Sequence, residues 1–541
     1  MPESGNRCLN TYLVIVPGLS AQRKYATSGG SSPIDPSRER RRACHARLRR
    51  IDATLPEMCA GMSVPAPAAA PALIDGTGAK ALDAELLERV ARDDYHEWLS
   101  GAKAAGGCVR PIRLRGTIRN VDAGTGEILS ALDTEETPDK AIYLPCGDRR
   151  ASVCPPCAAT YRSDTYQLIR AGLAGGKGMP TSVVTHPCVF ATFTAPSFGP
   201  VHSRVVTSRR KVARCRPRRK ADFRSHGRRI SCGQRHRQDE ACLGEPLCPD
   251  CYDYDGAVVW NAHASELWRR TVITIRRRVD KLAQAYGVRV RVSFAKVAEF
   301  QRRGLIHFHA IFRLDGLDPA HPERIVPPPL AFNANVLADA IRQVASVTRF
   351  ATVGHPIKLM GWDIAWGAQV DPRMIRLTGH GEITSATVAR YLAKYATKST
   401  ESAGIPPGRI TAENAAIYAD SRTHQGRLIA ACLGLGNHPH EDFKALRRWA
   451  HMLGYRGHFA TKSRHYSTTM RALRAARQDW RRRQNPLIRD HADKIGNFII
   501  GTDLRWAGRG WQTSGDALLA LSAAADAREH QRIGFEEARA A

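Results

Sequence analysis

The chain segment that most restricts the fold is Val288-Arg-Val-Arg-Val-Ser-Phe294 followed by Glu299-Phe-Gln-Arg-Arg-Gly-Leu-Ile-His-Phe-His-Ala-Ile-Phe312. Alternate side chains of a strand share a face. Ile306, Phe308, Ala310, Phe312 and Leu314 therefore make one apolar face, and His307 and His309 stand on the other. The preceding strand puts Val288, Val290, Val292 and Phe294 on its apolar face. Arg289, Arg291, Ser293 and, with no bulge, Glu299 fall on its polar face. With the turn centred on Arg302-Arg303, Glu299 is predicted opposite His307, at the ~4.5–5.5 Å Cβ spacing of cross-strand neighbours. Two imidazoles on one face reach a single ion at ~2.0–2.2 Å. Adding a carboxylate leaves coordination positions for phosphate oxygens, which suits Mg²⁺ or Mn²⁺ acting as a Lewis acid.

About eighty residues later comes Tyr391-Leu-Ala-Lys-Tyr-Ala-Thr-Lys398. Thr384 or Ser385 caps a helix predicted to run through Lys398. Tyr391 and Tyr395 are then i and i+4 on one face, ~5–6 Å apart. A phenol with a pKa near ~10 is a weak nucleophile at neutral pH, and a metal-polarised phosphate with nearby cations lowers that barrier. Lys394 and Lys398 supply the cations, and Lys398 is placed to orient the scissile phosphate or the tyrosinate. Val388, Leu392 and Ala396 continue beside the tyrosines, the spacing of a buried helix face.

The formal net charge of +30 attracts phosphate backbones and makes nucleic acid the expected partner. The longest apolar run, Tyr12 to Leu19, is too short to span a bilayer, so no membrane association is expected and the chain reads as cytoplasmic. Its 541 residues suffice for about three or four folded units of ~150 residues. Residues 1–80, with Gly29-Gly30-Ser31-Ser32-Pro33 and the basic run Arg38 to Arg42, read as an unstructured arm. Met62, just ahead of the globular sequence, is an alternative start. Residues 81–180 form a small α/β region. Residues 181–403 hold the catalytic core, interrupted by a basic, cysteine-rich insertion at about 204–256. Residues 404–541 read as a mostly helical C-terminal region in contact with DNA.

Fourteen cysteines without an export signal point to metal binding rather than disulfides. Cys248-Pro-Asp-Cys251 is a C-x-x-C knuckle, completed by Cys232 and His236 or by Cys215, and expected to hold structural Zn²⁺. Cys154-Pro-Pro-Cys157 repeats the knuckle, with Cys146 upstream and Cys188 as a fourth ligand. A single site shared by both knuckles is the alternative. Cys8, Cys44, Cys59, Cys108, Cys188 and Cys432 are scattered and read mainly as free thiols. The uncompensated bases between Arg204 and Arg237 are expected to contact phosphates.

His307-Phe308-His309 followed by the Tyr391/Tyr395 pair resembles the HUH endonuclease superfamily of rolling-circle replication initiators. The Tyr-x-x-Lys-Tyr-x-x-Lys arrangement is similar to that of the two-tyrosine initiators of small single-stranded DNA phages. Thr165-Tyr-Gln-Leu-Ile-Arg-Ala-Gly-Leu-Ala-Gly-Gly-Lys177, Ala195-Pro-Ser-Phe-Gly-Pro-Val-His202 and Gly457-His-Phe-Ala-Thr-Lys-Ser-Arg464 resemble the RepSA-type initiators of actinobacterial plasmids and integrative elements. The resemblance spans about residues 80–480, and Phe190-Ala-Thr-Phe-Thr194 matches the early strand motif of the superfamily. It implies an α+β core: an antiparallel sheet of about five strands with the histidines central and the tyrosine helix beside it. It also implies that one tyrosine nicks an origin strand to leave a 5′-phosphotyrosine and a free 3′-hydroxyl, while the second resolves the circle. Tyr395, flanked by Lys394 and Lys398, is the favoured first nucleophile. Host helicase and replication proteins are the implied partners. A conjugative relaxase, a single-strand transposase and a non-catalytic zinc-containing DNA-binding regulator are the competing readings.

Overall fold

The computed structural model describes residues 76–122, 125–207, 211–218, 223, 226–229, 231–375, 385–396, 408–420, 422–483 and 498–540. Most of the expected N-terminal arm, with Cys8, Cys44 and Cys59, lies outside these residues, as do Thr384 and Lys398.

The two alternating stretches form strands Val290–Phe300 and Ile306–Gly316, paired antiparallel along their whole length. Leu305 and Ile306 follow a turn in which Gly304 takes a φ of 76°. A Cβ there would lie 2.4 Å from Leu428 Cδ1, so both conformation and space require glycine. Asn261, fully buried, fixes this turn. Its amide nitrogen donates to the carbonyls of Gly304 and Leu453, both at 2.9 Å, and its oxygen accepts from the Ile306 amide at 3.0 Å.

The hairpin occupies the middle of a five-stranded antiparallel sheet ordered Val370–Met374, Cys188–Phe193, Ile306–Gly316, Val290–Phe300, Ala460–Lys462. The histidine strand is thus central, and the architecture is α+β as expected. One sheet face carries Val290, Val292, Phe308, Phe312 and Leu314 and is covered by the helices Tyr254–Ala285 and Ala334–Val347. Trp268 sits at the centre of that layer, with its ring 5.4–5.7 Å from those of Phe193, Phe294, Phe308 and Phe312. Side chains of this size each contribute ~1.5–3 kcal/mol by full burial.

The opposite face departs from the expectation of a polar surface. Helices Pro155–Ala174 and Ser385–Tyr395 cover it, and Ala295, Val297 and Ile311 pack there against Ile169, Leu173, Val388 and Leu392. Of the polar residues on this face, Ser293, Arg313 and Asp315 are internal. Arg313 and Asp315 are both fully buried and paired at 2.6 Å. Asp315 also meets His186 at 2.8 Å and accepts from Ser293 Oγ at 2.7 Å. Arg313 further donates to the carbonyls of Gly172, His465 and Tyr466, tying the covering helix and the residue 465–466 segment to the sheet.

A second sheet joins the two ends of the described chain. Strand Ile112–Asp122 pairs with Phe498–Arg509 on one side and with Ile128–Asp133 and Ile142–Leu144 on the other. Arg89 and Asp516 close this unit with a buried 2.6 Å ion pair. The C-terminal region is therefore not helical throughout: Ala460–Lys462 forms an edge of the five-stranded sheet and Phe498–Arg509 belongs to the second sheet. Such short or glycine-interrupted strands lack a strong period of their own, and tertiary pairing decides them.

Candidate active site

Glu299 and His307 are direct register partners, with the register centred on Arg303. Glu299 Oε2 lies 3.0 Å from His307 Nε2 and 3.3 Å from His309 Nε2, so three donor atoms converge on one point. Side-chain exposures of 13% for Glu299, 14% for His307 and 3% for His309 show a recess open on one side. The converging donors, two imidazole nitrogens and a carboxylate oxygen, fit a hard to borderline divalent cation.

The neighbouring strand supplies what sequence reading missed. Thr192 pairs with His309 in register, and its Oγ1 is 3.1 Å from His309 Nδ1. This holds the ring so that Nε2 faces Glu299, the outer-shell arrangement that orients metal-bound imidazoles. Phe190, two residues earlier on the same face, stacks on His309 with ring centroids 5.8 Å apart and planes 10° from parallel. The strand parity that located His307 and His309 also places Phe190 and Thr192 together, and that signal was present in the sequence. On the other histidine, Gln301 Nε2 approaches His307 Nδ1 at 3.4 Å.

The tyrosine helix lies over this recess. Val388, Ala389, Leu392 and Ala396 face the core, which leaves Tyr391 and Tyr395 along the edge beside His309. The Tyr391 hydroxyl is 3.4 Å from His309 Nε2, and the Tyr391 and Tyr395 ring centroids are 4.5 Å apart. Tyr395 lies 5.5 Å from the His309 ring. Phe190 meets Tyr391 edge-on, completing an aromatic wall. Burial, then the neighbouring Tyr395 and Glu299, push the Tyr391 phenol above its ordinary value. Tyr391 still remains 38% exposed, accessible to a strand laid across the recess. Lys394 is exposed on the same helix.

The turn beyond Glu299 is clamped from two directions. Arg303 donates to the carbonyls of Ala195 and Pro196, both at 3.1 Å, and Arg302 donates to those of Gln238 and Glu240 at 2.8 and 2.9 Å. The basic insertion thereby abuts the histidine hairpin.

The cysteine groups differ from those expected. Cys146, Cys154 and Cys157 do converge, but the fourth member is Cys108, not Cys188. Cys188 lies buried in a strand of the five-stranded sheet. Cys108 follows the helix Tyr95–Ala104, far from the knuckle in sequence, and spacing alone gave no sign of it. The expected set Cys232, His236, Cys248 and Cys251 divides in two. Cys232 and His236 gather with His202 and Cys215, whereas Cys248 and Cys251 gather with His226. The two knuckles share no site. Cys432 is a buried free thiol, as expected, and Cys188, read both as a ligand and as a scattered thiol, is one too.

No helix among the described residues is long and apolar enough to cross a membrane. The family model for RepSA, replication initiator protein, pSAM2, matches residues 94–525. A replication initiator protein from Streptomyces ambofaciens is 40% identical over 468 residues, which cover 84% of this chain and 95% of the relative. No solved structure matches. A match over this much of the chain, joined to the coverage of the curated relative, makes the chain a member of the RepSA family of replication initiator proteins.

Proposed function

We propose that this initiator nicks and rejoins one strand of origin DNA through a tyrosine-linked intermediate, using an HUH-type centre. The observation that carries this reading is the convergence of Glu299 Oε2 on both His307 Nε2 and His309 Nε2, with the Tyr391 hydroxyl 3.4 Å from the latter. Glu299, His307 and His309 would hold Mg²⁺ or Mn²⁺, which when bound supplies Lewis-acid polarisation of a phosphate oxygen.

The chain's own residues do the rest. Thr192 and Gln301 hold the imidazoles in place, and Phe190 walls the recess on the side of His309. A phenolic oxygen forms a bond to phosphorus as the bond to the 3′-oxygen breaks. The phenol proton leaves to solvent, the departing 3′-oxygen is protonated, and the 5′-phosphate stays on tyrosine. Lys394 and Lys398 offer cations to the displaced charge. The released 3′-hydroxyl primes synthesis by host replication proteins, with a helicase opening the duplex. Both tyrosines stand beside His309, and the sequence pattern, with Lys394 and Lys398 flanking Tyr395, favours Tyr395 for the first attack and Tyr391 for the second.

Incubating the intact chain with supercoiled plasmid carrying its origin and Mn²⁺ tests the reading. Conversion to open circles that requires the metal is expected, with the cut mapping to a replication origin. Intact supercoils would instead mark a non-catalytic DNA-binding regulator. A cut at a transfer origin or a transposon end would assign the same centre to a relaxase or transposase.

A further inference from the structure

Two side-chain groups outside the nicking centre carry an inference independent of strand cleavage. The first comprises Cys108, Cys146, Cys154 and Cys157, whose sulfurs all lie within 4.8 Å of one another. Cys108 to Cys154 and Cys146 to Cys157 are each 3.7 Å. A tetrahedral zinc with Zn–S of ~2.3 Å sets its sulfurs about 3.8 Å apart, so the cage already has the edge length of the ion. The four residues come from three separate segments: the loop after Tyr95–Ala104, the loop after Ile142–Leu144, and the start of helix Pro155–Ala174. Backbone amides of Cys146 and Asp148 donate to the sulfurs of Cys108 and Cys146, at 3.2 and 3.5 Å, an arrangement suited to thiolates. A redox pair needs two cysteines and does not account for four.

The second group comprises His202, Cys215, Cys232 and His236. His236 Nε2 faces His202 Nδ1 at 3.2 Å and Cys232 Sγ at 3.4 Å. Its other nitrogen, Nδ1, is 2.5 Å from Glu240 Oε2. A carboxylate behind a histidine whose far nitrogen faces other ligands is the outer-shell signature of a zinc histidine. The Ser203 amide donates to Cys215 Sγ at 3.2 Å.

We propose that the chain binds two structural zinc ions, one through Cys108, Cys146, Cys154 and Cys157 and one through His202, Cys215, Cys232 and His236. Each ion braces one half of the catalytic centre. The loop between Cys146 and Cys154 carries Arg149, which donates to the Ala396 carbonyl at the end of the tyrosine helix at 3.3 Å and lies 3.6 Å over the Phe459 ring. The second site holds the segment bearing Glu240, whose carbonyl receives Arg302 of the histidine hairpin. His226, Cys248 and Cys251 provide three donors among the described residues and lie outside this count.

The test is metal analysis of the purified intact chain without DNA, so its outcome is separate from that of the nicking reading. Cys108→Ser and Cys232→Ser are each expected to lower bound zinc by one equivalent, the double variant by two, and Cys188→Ser by none. Full zinc retention by either single variant overturns the assignment. If a variant does not fold, anomalous scattering at the zinc edge from crystals of the wild-type chain decides. A peak centred in both four-ligand groups supports the proposal, and no peak in either group refutes it.

Discussion

Glu299 and His307 face each other across the central hairpin, joined through Oε2 and Nε2 at 3.0 Å, and the same oxygen reaches His309 at 3.3 Å. One carboxylate thus links both imidazoles. Glu299→Gln keeps the shape and removes the charge. Metal titration of nicking should show at least about 10–100-fold weaker activation by Mn²⁺, since even outer-shell changes cost that much at metal sites. Unchanged metal dependence would remove Glu299 from the centre.

The turn that fixes this register hangs on Asn261. Asn261→Leu deletes its three hydrogen bonds inside the core and leaves the Gly304 and Leu453 carbonyls and the Ile306 amide without that partner. A loss of about 2–4 kcal/mol in denaturant unfolding is expected, at ~1–3 kcal/mol for each buried group left unpaired, with partial relaxation. Asn261→Asp should also fail to rescue, because the two carbonyls need a donor.

Asp315 sets an acid limit on stability. Burial raises its pKa, but the hydrogen bonds from His186 and Arg313 outweigh burial, and the carboxyl ends below its ordinary value. A depressed carboxyl contributes stability that is complete above the unfolded pKa of ~3.9 and lost as pH falls through the folded one. Unfolding midpoints of the wild-type chain should therefore drop below about pH 4. Arg313→Met, which removes the guanidinium paired with Asp315 and leaves it the bonds to His186 and Ser293, should cost about 3–5 kcal/mol at neutral pH.

Lys296 works in the opposite direction. Burial on the large-core face holds its ammonium down to about 7, with Nζ 4.2 Å from the Phe308 ring and donating to the His458 carbonyl. Between that value and the unfolded ~10.4, the unfolded chain binds the extra proton, so stability rises with pH across this window. Lys296→Met should stabilise the protein by about 1–3 kcal/mol at pH 6 and by less at pH 9. Equal effects at both pH values would contradict a desolvated ammonium.

The basic insertion is expected to bind phosphates. Neutralising Arg214, Arg218 and Arg228 together should flatten the dependence of single-strand affinity on salt, by about 0.7 in log–log slope for each phosphate no longer neutralised. An unaltered slope would make this segment a solvated face.

What could be read from the chain in advance followed from short-range periodicity. Strict alternation from Ile306 to Leu314, with a glycine turn at Gly304, fixed both the strand pairing and the position of Glu299. Apolar spacing at Val388, Leu392 and Ala396 gave the buried side of the tyrosine helix. The meeting of distant segments was not legible. Cys108 joins its group from 38 residues before Cys146, and His202, Cys215 and His226 divide the insertion's ligands in a way that knuckle spacing cannot encode. The buried second face of the sheet was also hidden, because Arg289, Arg291 and Ser293 read as one polar face. Internal pairing of Arg313 with Asp315 is what makes their burial tolerable.

The most direct test of the central claim is covalent capture. The intact chain is incubated with labelled origin single strand and Mn²⁺, and the adduct is mapped by mass spectrometry. The account predicts a 5′-phosphoryl nucleotide on Tyr395 after the first cleavage. It predicts loss of that adduct in Tyr395→Phe, and in Tyr391→Phe a first adduct that persists without strand resolution. An adduct on any residue other than Tyr391 or Tyr395, or full adduct yield from the double Phe variant, would contradict it.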